Sequence, residues 1–175
     1  MLPVFLLFAI PIGGGIPAGV LLARSHGLAW PLTAFLYFVS DVALACVFEP
    51  AMHGVVKVGR NVPALARFTA AMKESTRKRA EHYGIGAGPL TLIMIAFGVD
   101  PMTGRSAAYV AGHGFISGWA IAITGDMMYY GVIAYSTLKL NGILGNANYT
   151  TVIIMLAMFV VPMMIKKIKN AFVKA

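Results

Sequence analysis

Cysteine occurs once in 175 residues, as Cys46, which excludes an internal disulfide. Acidic residues number six, and charged residues of both signs make up 11% of the chain, where a soluble domain carries about 25%. Metal-binding patterns are missing as well. The histidines at 26, 53, 82 and 113 form no HxxxH pair, and one cysteine cannot build a thiolate site. "GIGAG" at 84–88 is not followed by Lys-Ser or Lys-Thr, so there is no phosphate-binding Walker loop. A serine nucleophile elbow is also lacking. These absences argue against hydrolytic, ATP-driven and metal-dependent chemistry, and the expectation is a protein that is not an enzyme and holds no cofactor. The first segment lacks the basic start of a signal peptide, and Cys46 reads as a small packing residue in an apolar run.

What remains is apolar. Hydrophobic residues make up 59% of the sequence, and several runs approach the ~20 residues that cross a bilayer. The expected fold class is all-α, a polytopic integral membrane protein built as one domain. The net charge of +8 could suggest nucleic acid. Its distribution points elsewhere: seven of the fourteen Lys and Arg lie between Lys57 and Arg79, and four in the tail from Lys166. Basic loops of this kind mark the cytoplasmic side of membrane proteins and touch anionic headgroups. The expected partners are membrane lipids, a small solute or lipid, and further copies of the chain, not nucleic acid.

Four long hydrophobic segments and a shorter fifth are visible. Leu2 to Ala23 is interrupted by Pro11, Gly13, Gly14, Gly15 and Pro17, residues that break or loosen a helix, so a kink or hairpin is expected. Trp30 to Val56 opens with an interfacial tryptophan. Gly84 to Gly104 is rich in Gly and Pro. Ser106 to Leu138, at 33 residues, exceeds one ordinary crossing, which predicts tilt, a bend, or a leading part outside the core. Thr151 to Ile165 is the short fifth. In the basic stretch at about 57–82, Leu65, Phe68, Ala71 and Met72 fall at helical spacing, which fits either an amphipathic interfacial helix or a solvated cytoplasmic one.

Charge placement constrains the topology. If segments three, four and five all cross, the basic tail ends outside, against the positive-inside rule. A re-entrant hairpin at 84–104 removes the conflict and leaves only Arg24 and Lys139 outside. A fifth segment lying along the interface is the alternative.

Four acidic residues, Asp41, Glu49, Asp100 and Asp126, lie in or beside apolar segments. Carboxylates at membrane depth are expensive and usually face a cavity, a partner or a substrate path. Gly114, Gly118 and Ala122 form a small-residue stripe with Asp126 as its next step and Gly125 beside it, a pattern that lets helices pack closely. Tyr129 and Tyr130 lie within reach of the Asp126 carboxylate; a helix–helix hydrogen bond and ion handling are both open roles for it. Tyr37, Asp41, Ala45 and Glu49 recur every four residues on one face. Glu49, next to Pro50, is expected nearer the interface and ranks behind Asp41. His113 is a structural residue or a proton relay. Arg105 pairs with Asp100, holds an anionic headgroup, or is a plain positive-inside charge.

Some of these features resemble a known family. "AIPIGGGIPAGVLLA" is similar to the Ile-Pro-Leu-Gly opening of the small multidrug-export family of bacterial and archaeal membrane proteins. "AEHYG" resembles its Glu-x-x-Lys-Tyr-Gly entry, with His82 in place of Lys. "VDPMTGRSAAYVAG" is similar to its Pro-Leu-Pro-Gly-Thr-Gly stretch without the first proline. "ITGDMMYYGVIAYSTLKLNG" resembles the Gly-Asp-x-x-x-Tyr-x-x-Gly pattern of DedA-like membrane proteins, where it sits earlier in the chain. The resemblance implies re-entrant hairpins meeting within a prokaryotic cytoplasmic membrane.

Taken together, the sequence leads to a small proton- or ion-coupled transporter of a small or amphipathic solute. A lipid flippase or scramblase of DedA-like type and a non-transporting assembly subunit are the alternatives.

Overall fold

The computed structural model describes residues 1–9, 15–59, 67, 70, 74, 88–97 and 101–173. Among them the chain is all-helical, with no strand. Among the described residues seven helices have defined bounds: α1 (Leu2–Ala9), α2 (Gly15–Ser25), α3 (Trp30–Gly59), α4 (Pro89–Ala96), α5 (Pro101–Val110), α6 (Phe115–Leu144) and α7 (Ala147–Val173). Pro11, Gly13, Gly14, Asp100 and nearly all of the basic stretch at 57–82 lie outside the described residues.

Two compact units divide the chain, residues 1–36 with 131–175, and residues 37–130. In the first unit the opening hydrophobic segment is two helices, α1 and α2, packed on one another. Gly19 makes this approach possible, because the Phe8 ring fills the space a β-carbon there would need. Pro17 sits in the first turn of α2, where a proline removes no helical hydrogen bond. α2 also packs on α7. It ends at Gly27, whose φ of +67° lets Leu28 N–H reach Ala23 O and Gly27 N–H reach Arg24 O. These two bonds cap carbonyls that the helix leaves open. Between α6 and α7, Gly145 (φ +66°) ends one helix. Asn146 starts the next, its Oδ1 accepting from the N–H groups of Asn148 (3.0 Å) and Tyr149 (3.2 Å).

In the second unit α4 and α5 pack together as a helical hairpin, so the described part of the third hydrophobic segment is divided between two helices. The fourth segment differs from its expected bounds. Its leading part, Ser106 to Val110, belongs to α5, and α6 starts only at Phe115. The cause is Gly112: at φ +88° it lets His113 N–H bond Ala108 O and its own N–H bond Tyr109 O, which closes α5. Leu92, Ala107, Ala108 and Ile121 form one buried apolar cluster of this unit.

By length and composition, one stretch among the described residues, Trp30–Ala51, can cross a membrane; Ala147–Val161 is apolar but shorter. α6 carries Asp126 and several Gly, Thr and Tyr residues, which lower its apolar character. Polarity is distributed unusually. Large apolar side chains such as Phe35, Val47, Ile116, Val132, Leu156 and Phe159 are exposed, while Asp41, Glu49, Arg105 and Asp126 are buried.

Candidate functional site

The site is a seam in the second unit between the middle of α3 and the start of α6. On α3, Tyr37, Asp41, Ala45 and Glu49 are spaced by four and therefore share a face; all four are buried. On α6, Trp119, Ala122, Asp126 and Tyr130 do the same, at spacings of three and four, and are also buried. The two rows run antiparallel. Tyr37 stacks on Tyr130 with ring centroids 4.3 Å apart and planes at 19°. The Tyr37 hydroxyl donates to Asp126 Oδ2 at 2.5 Å. Asp41 comes within hydrogen-bonding reach of Asp126. Ala45 packs with Ala122 and Trp119. At the far end, Trp119 Nε1 donates to Glu49 Oε2 at 2.8 Å.

α5 adds a cation to that far end. Arg105 is 1% exposed and grips Glu49 with two donors, Nε to Oε2 at 2.9 Å and Nη2 to Oε1 at 2.6 Å. A planar fork on a carboxylate is the strong form of a charge-assisted hydrogen bond. Its guanidinium carbon lies 5.5 Å from the centre of the Tyr109 ring. Arg105 Nη1 finds no hydrogen-bond partner among the described residues.

Small residues make these approaches possible. A β-carbon at Gly118 would stand 2.7 Å from Arg105 Nη1. One at Gly104 would stand 2.9 Å from Ala96 Cβ, and one at Gly125 would stand 2.8 Å from the Ile93 carbonyl oxygen. Gly118 and Gly125 thus seat α5 and α4 against α6. Gly114 does not share this role. It lies exposed before α6 begins, and nothing among the described residues comes within 4 Å of a β-carbon built there.

Glu49 is not solvated at an interface but buried in an ion pair. Arg105 has Glu49 as its acidic partner, 56 residues away in sequence; Asp100 lies outside the described residues. Tyr129 meets Phe97 edge-on at 5.6 Å, and Tyr130 contributes its ring to Tyr37. His113 stands half-buried in the turn between α5 and α6, its backbone N–H engaged in closing α5. Two donors were not foreseen, Tyr37 to Asp126 and Trp119 to Glu49. The signal for Trp119 was its place two helical turns before Asp126, since a buried indole N–H requires an acceptor.

Chemically, the seam holds two kinds of carboxylate. Glu49 is neutralised by a fixed cation. Asp41 faces another carboxyl group. No group of three His, Cys, Asp or Glu able to hold a metal ion occurs among the described residues. Comparison with protein families, with curated proteins and with solved structures finds no match.

Proposed function

We propose that the chain is a small multi-pass protein of a prokaryotic cytoplasmic membrane that moves a small or amphipathic solute in step with an ion. The observation that carries this reading is the Asp41–Asp126 carboxyl pair, buried where α3 and α6 meet. Two adjacent carboxyl groups shut away from water are an unfavourable way to stabilise a fold. They are a useful way to bind and release a cation. The exposure of large apolar residues while Asp41, Glu49, Arg105 and Asp126 are buried supports the membrane setting, because lipid accepts an apolar exterior. The broken α1–α2 and α4–α5 segments support it too, since interrupted helices are common where transporters bind their ions.

The lipid-handling alternative asks Arg105 to meet a headgroup. That requires the bidentate grip on Glu49 to open first, so it is the weaker reading. The assembly-subunit alternative asks the glycine stripe to bind a partner helix, yet Gly118 and Gly125 are already filled from within the chain.

The test is uptake of a fluorescent organic cation, ethidium, into liposomes containing the purified protein under an imposed pH or sodium gradient. Gradient-driven uptake that disappears in Asp126→Asn, with equal reconstitution, supports the proposal. Absence of gradient-driven movement for ethidium and for a panel of amines and amino acids would overturn it.

A further inference from the structure

We infer that Asp41 and Asp126 act as one proton-binding unit, with a single proton held between their carboxyl groups and Asp41 as the group that gains and loses it. The inference rests on the transporter reading above and names its coupling ion as a proton.

Three observations carry it. Asp41 is 4% exposed, and its Oδ2 is buried with no hydrogen-bond partner among the described residues. The group within its reach is another carboxyl, that of Asp126. Two carboxylates that share a site away from water resist being ionised together, which favours one proton held between them until the pair releases it. Asp126 is the better anion of the two, because the Tyr37 hydroxyl donates to its Oδ2. That asymmetry places the proton on Asp41. Binding takes the pair's formal charge from −2 to −1; release returns it, and no other bond is made or broken.

The surrounding groups fit a proton better than a metal cation. Sodium or a larger ion needs several oxygen lone pairs turned toward it. Here the Tyr37 hydroxyl points its hydrogen at Asp126, and the Tyr37 carbonyl already accepts from Ser40 Oγ at 2.6 Å. Among the described residues the titratable groups facing the pair are phenols: Tyr37 from α3, and Tyr129 and Tyr130 from α6. α4, which packs against α6 at Gly125, has the sequence PLTLIMIA and contributes none. The contrast with Glu49, two turns along the same face, is direct: Glu49 is paired with Arg105, while Asp41 has no ion-pair partner among the described residues.

The experiment is pH-dependent difference infrared spectroscopy of the full chain in lipid nanodiscs, following the stretch of protonated carboxyl groups, with and without isotope-labelled aspartate. The wild type is expected to show one aspartic-acid band near neutral pH that persists when sodium is replaced by choline. Asp41→Asn should lose the band. Asp126→Asn should shift it, because the proton's acceptor has changed, and Asp41→Glu should keep it as a glutamic-acid band. A band unaffected by both asparagine variants, or one that appears only without sodium, would overturn the inference. The Asp41→Glu variant covers the case in which Asp41→Asn fails to fold. The readout does not depend on transport: the band with no uptake retains the proton pair and removes the transporter, and uptake without the band does the reverse.

Discussion

Arg105 and Glu49 form a two-pronged ion pair that joins α5 to α3 out of contact with solvent, and Trp119 of α6 donates to the same carboxylate. Three helices of one unit thus converge on one acidic side chain. Removing either partner leaves an uncompensated buried charge, which typically destabilises by about 3–5 kcal/mol. Arg105→Ala and Glu49→Ala should each lose stability of that order in a denaturant titration in mixed micelles. The double variant should lose clearly less than the sum, with a coupling of roughly 0.5–3 kcal/mol. Additive losses would mean that the two side chains do not act as a pair.

The same pair depends on a missing side chain. Gly118→Ala places a methyl group 2.7 Å from Arg105 Nη1 and 3.1 Å from its Cζ. The guanidinium is clamped on Glu49 and has little freedom to withdraw. A loss of about 1–3 kcal/mol is expected, typical of overpacking. Gly131→Ala, further along α6 where no described atom lies within 4 Å, is the control and should be neutral or slightly stabilising.

In the other unit, Gly19 performs the corresponding service for α1 and α2. Gly19→Ala would overlap the Phe8 ring. It should separate the two helices and raise the rate of proteolysis near residue 10, and Phe8→Ala in the same chain should restore part of the protection. Proteolysis that Gly19→Ala leaves unchanged would show that the α1–α2 contact is not held at this point.

Tyr37→Phe tests the donor to Asp126. A buried acceptor stripped of its partner costs about 1–3 kcal/mol, and the Tyr37–Tyr130 ring contact survives the change. The expected outcome is slowed gradient-driven uptake with the fold kept. Uptake at the wild-type rate would reduce the Tyr37 hydroxyl to a packing role.

Parts of this site are legible in the sequence because they are local. The spacing of Tyr37, Asp41, Ala45 and Glu49 places them on one face of α3 whatever that face meets. The partners are not local. Glu49 meets Arg105 and Trp119, and Tyr37 meets Asp126, 89 residues on; register between distant helices is set by packing that periodicity does not encode. The end of α5 was written as Gly112-His113-Gly114. It is obscured by the apolar residues on both sides, which made one long segment out of two helices. The helical break in the first segment was legible in its glycines and prolines, although Pro11 and Gly13 themselves lie outside the described residues.

Membrane sidedness separates the proposed architecture from a plain bundle. If the α4–α5 hairpin enters and leaves the bilayer on one side, the turn at 111–114 faces the cytoplasm. α6, thirty residues long, then spans ~45 Å at 1.5 Å per residue, enough to place residue 148 outside. Gly114 and Asn148 are both exposed, and a β-carbon at Gly114 meets nothing among the described residues. Each can therefore carry a cysteine in a Cys46→Ser background, a change made because Cys46 is itself exposed. A membrane-impermeant thiol reagent applied to intact cells should label Asn148→Cys. It should miss Gly114→Cys until the inner face is opened. Labelling of Gly114→Cys from outside would mean that the 84–104 segment crosses the membrane, and the re-entrant arrangement would have to be given up. The Asp41–Asp126 pair is unaffected by that outcome, because its contacts lie between α3 and α6 and not in the hairpin.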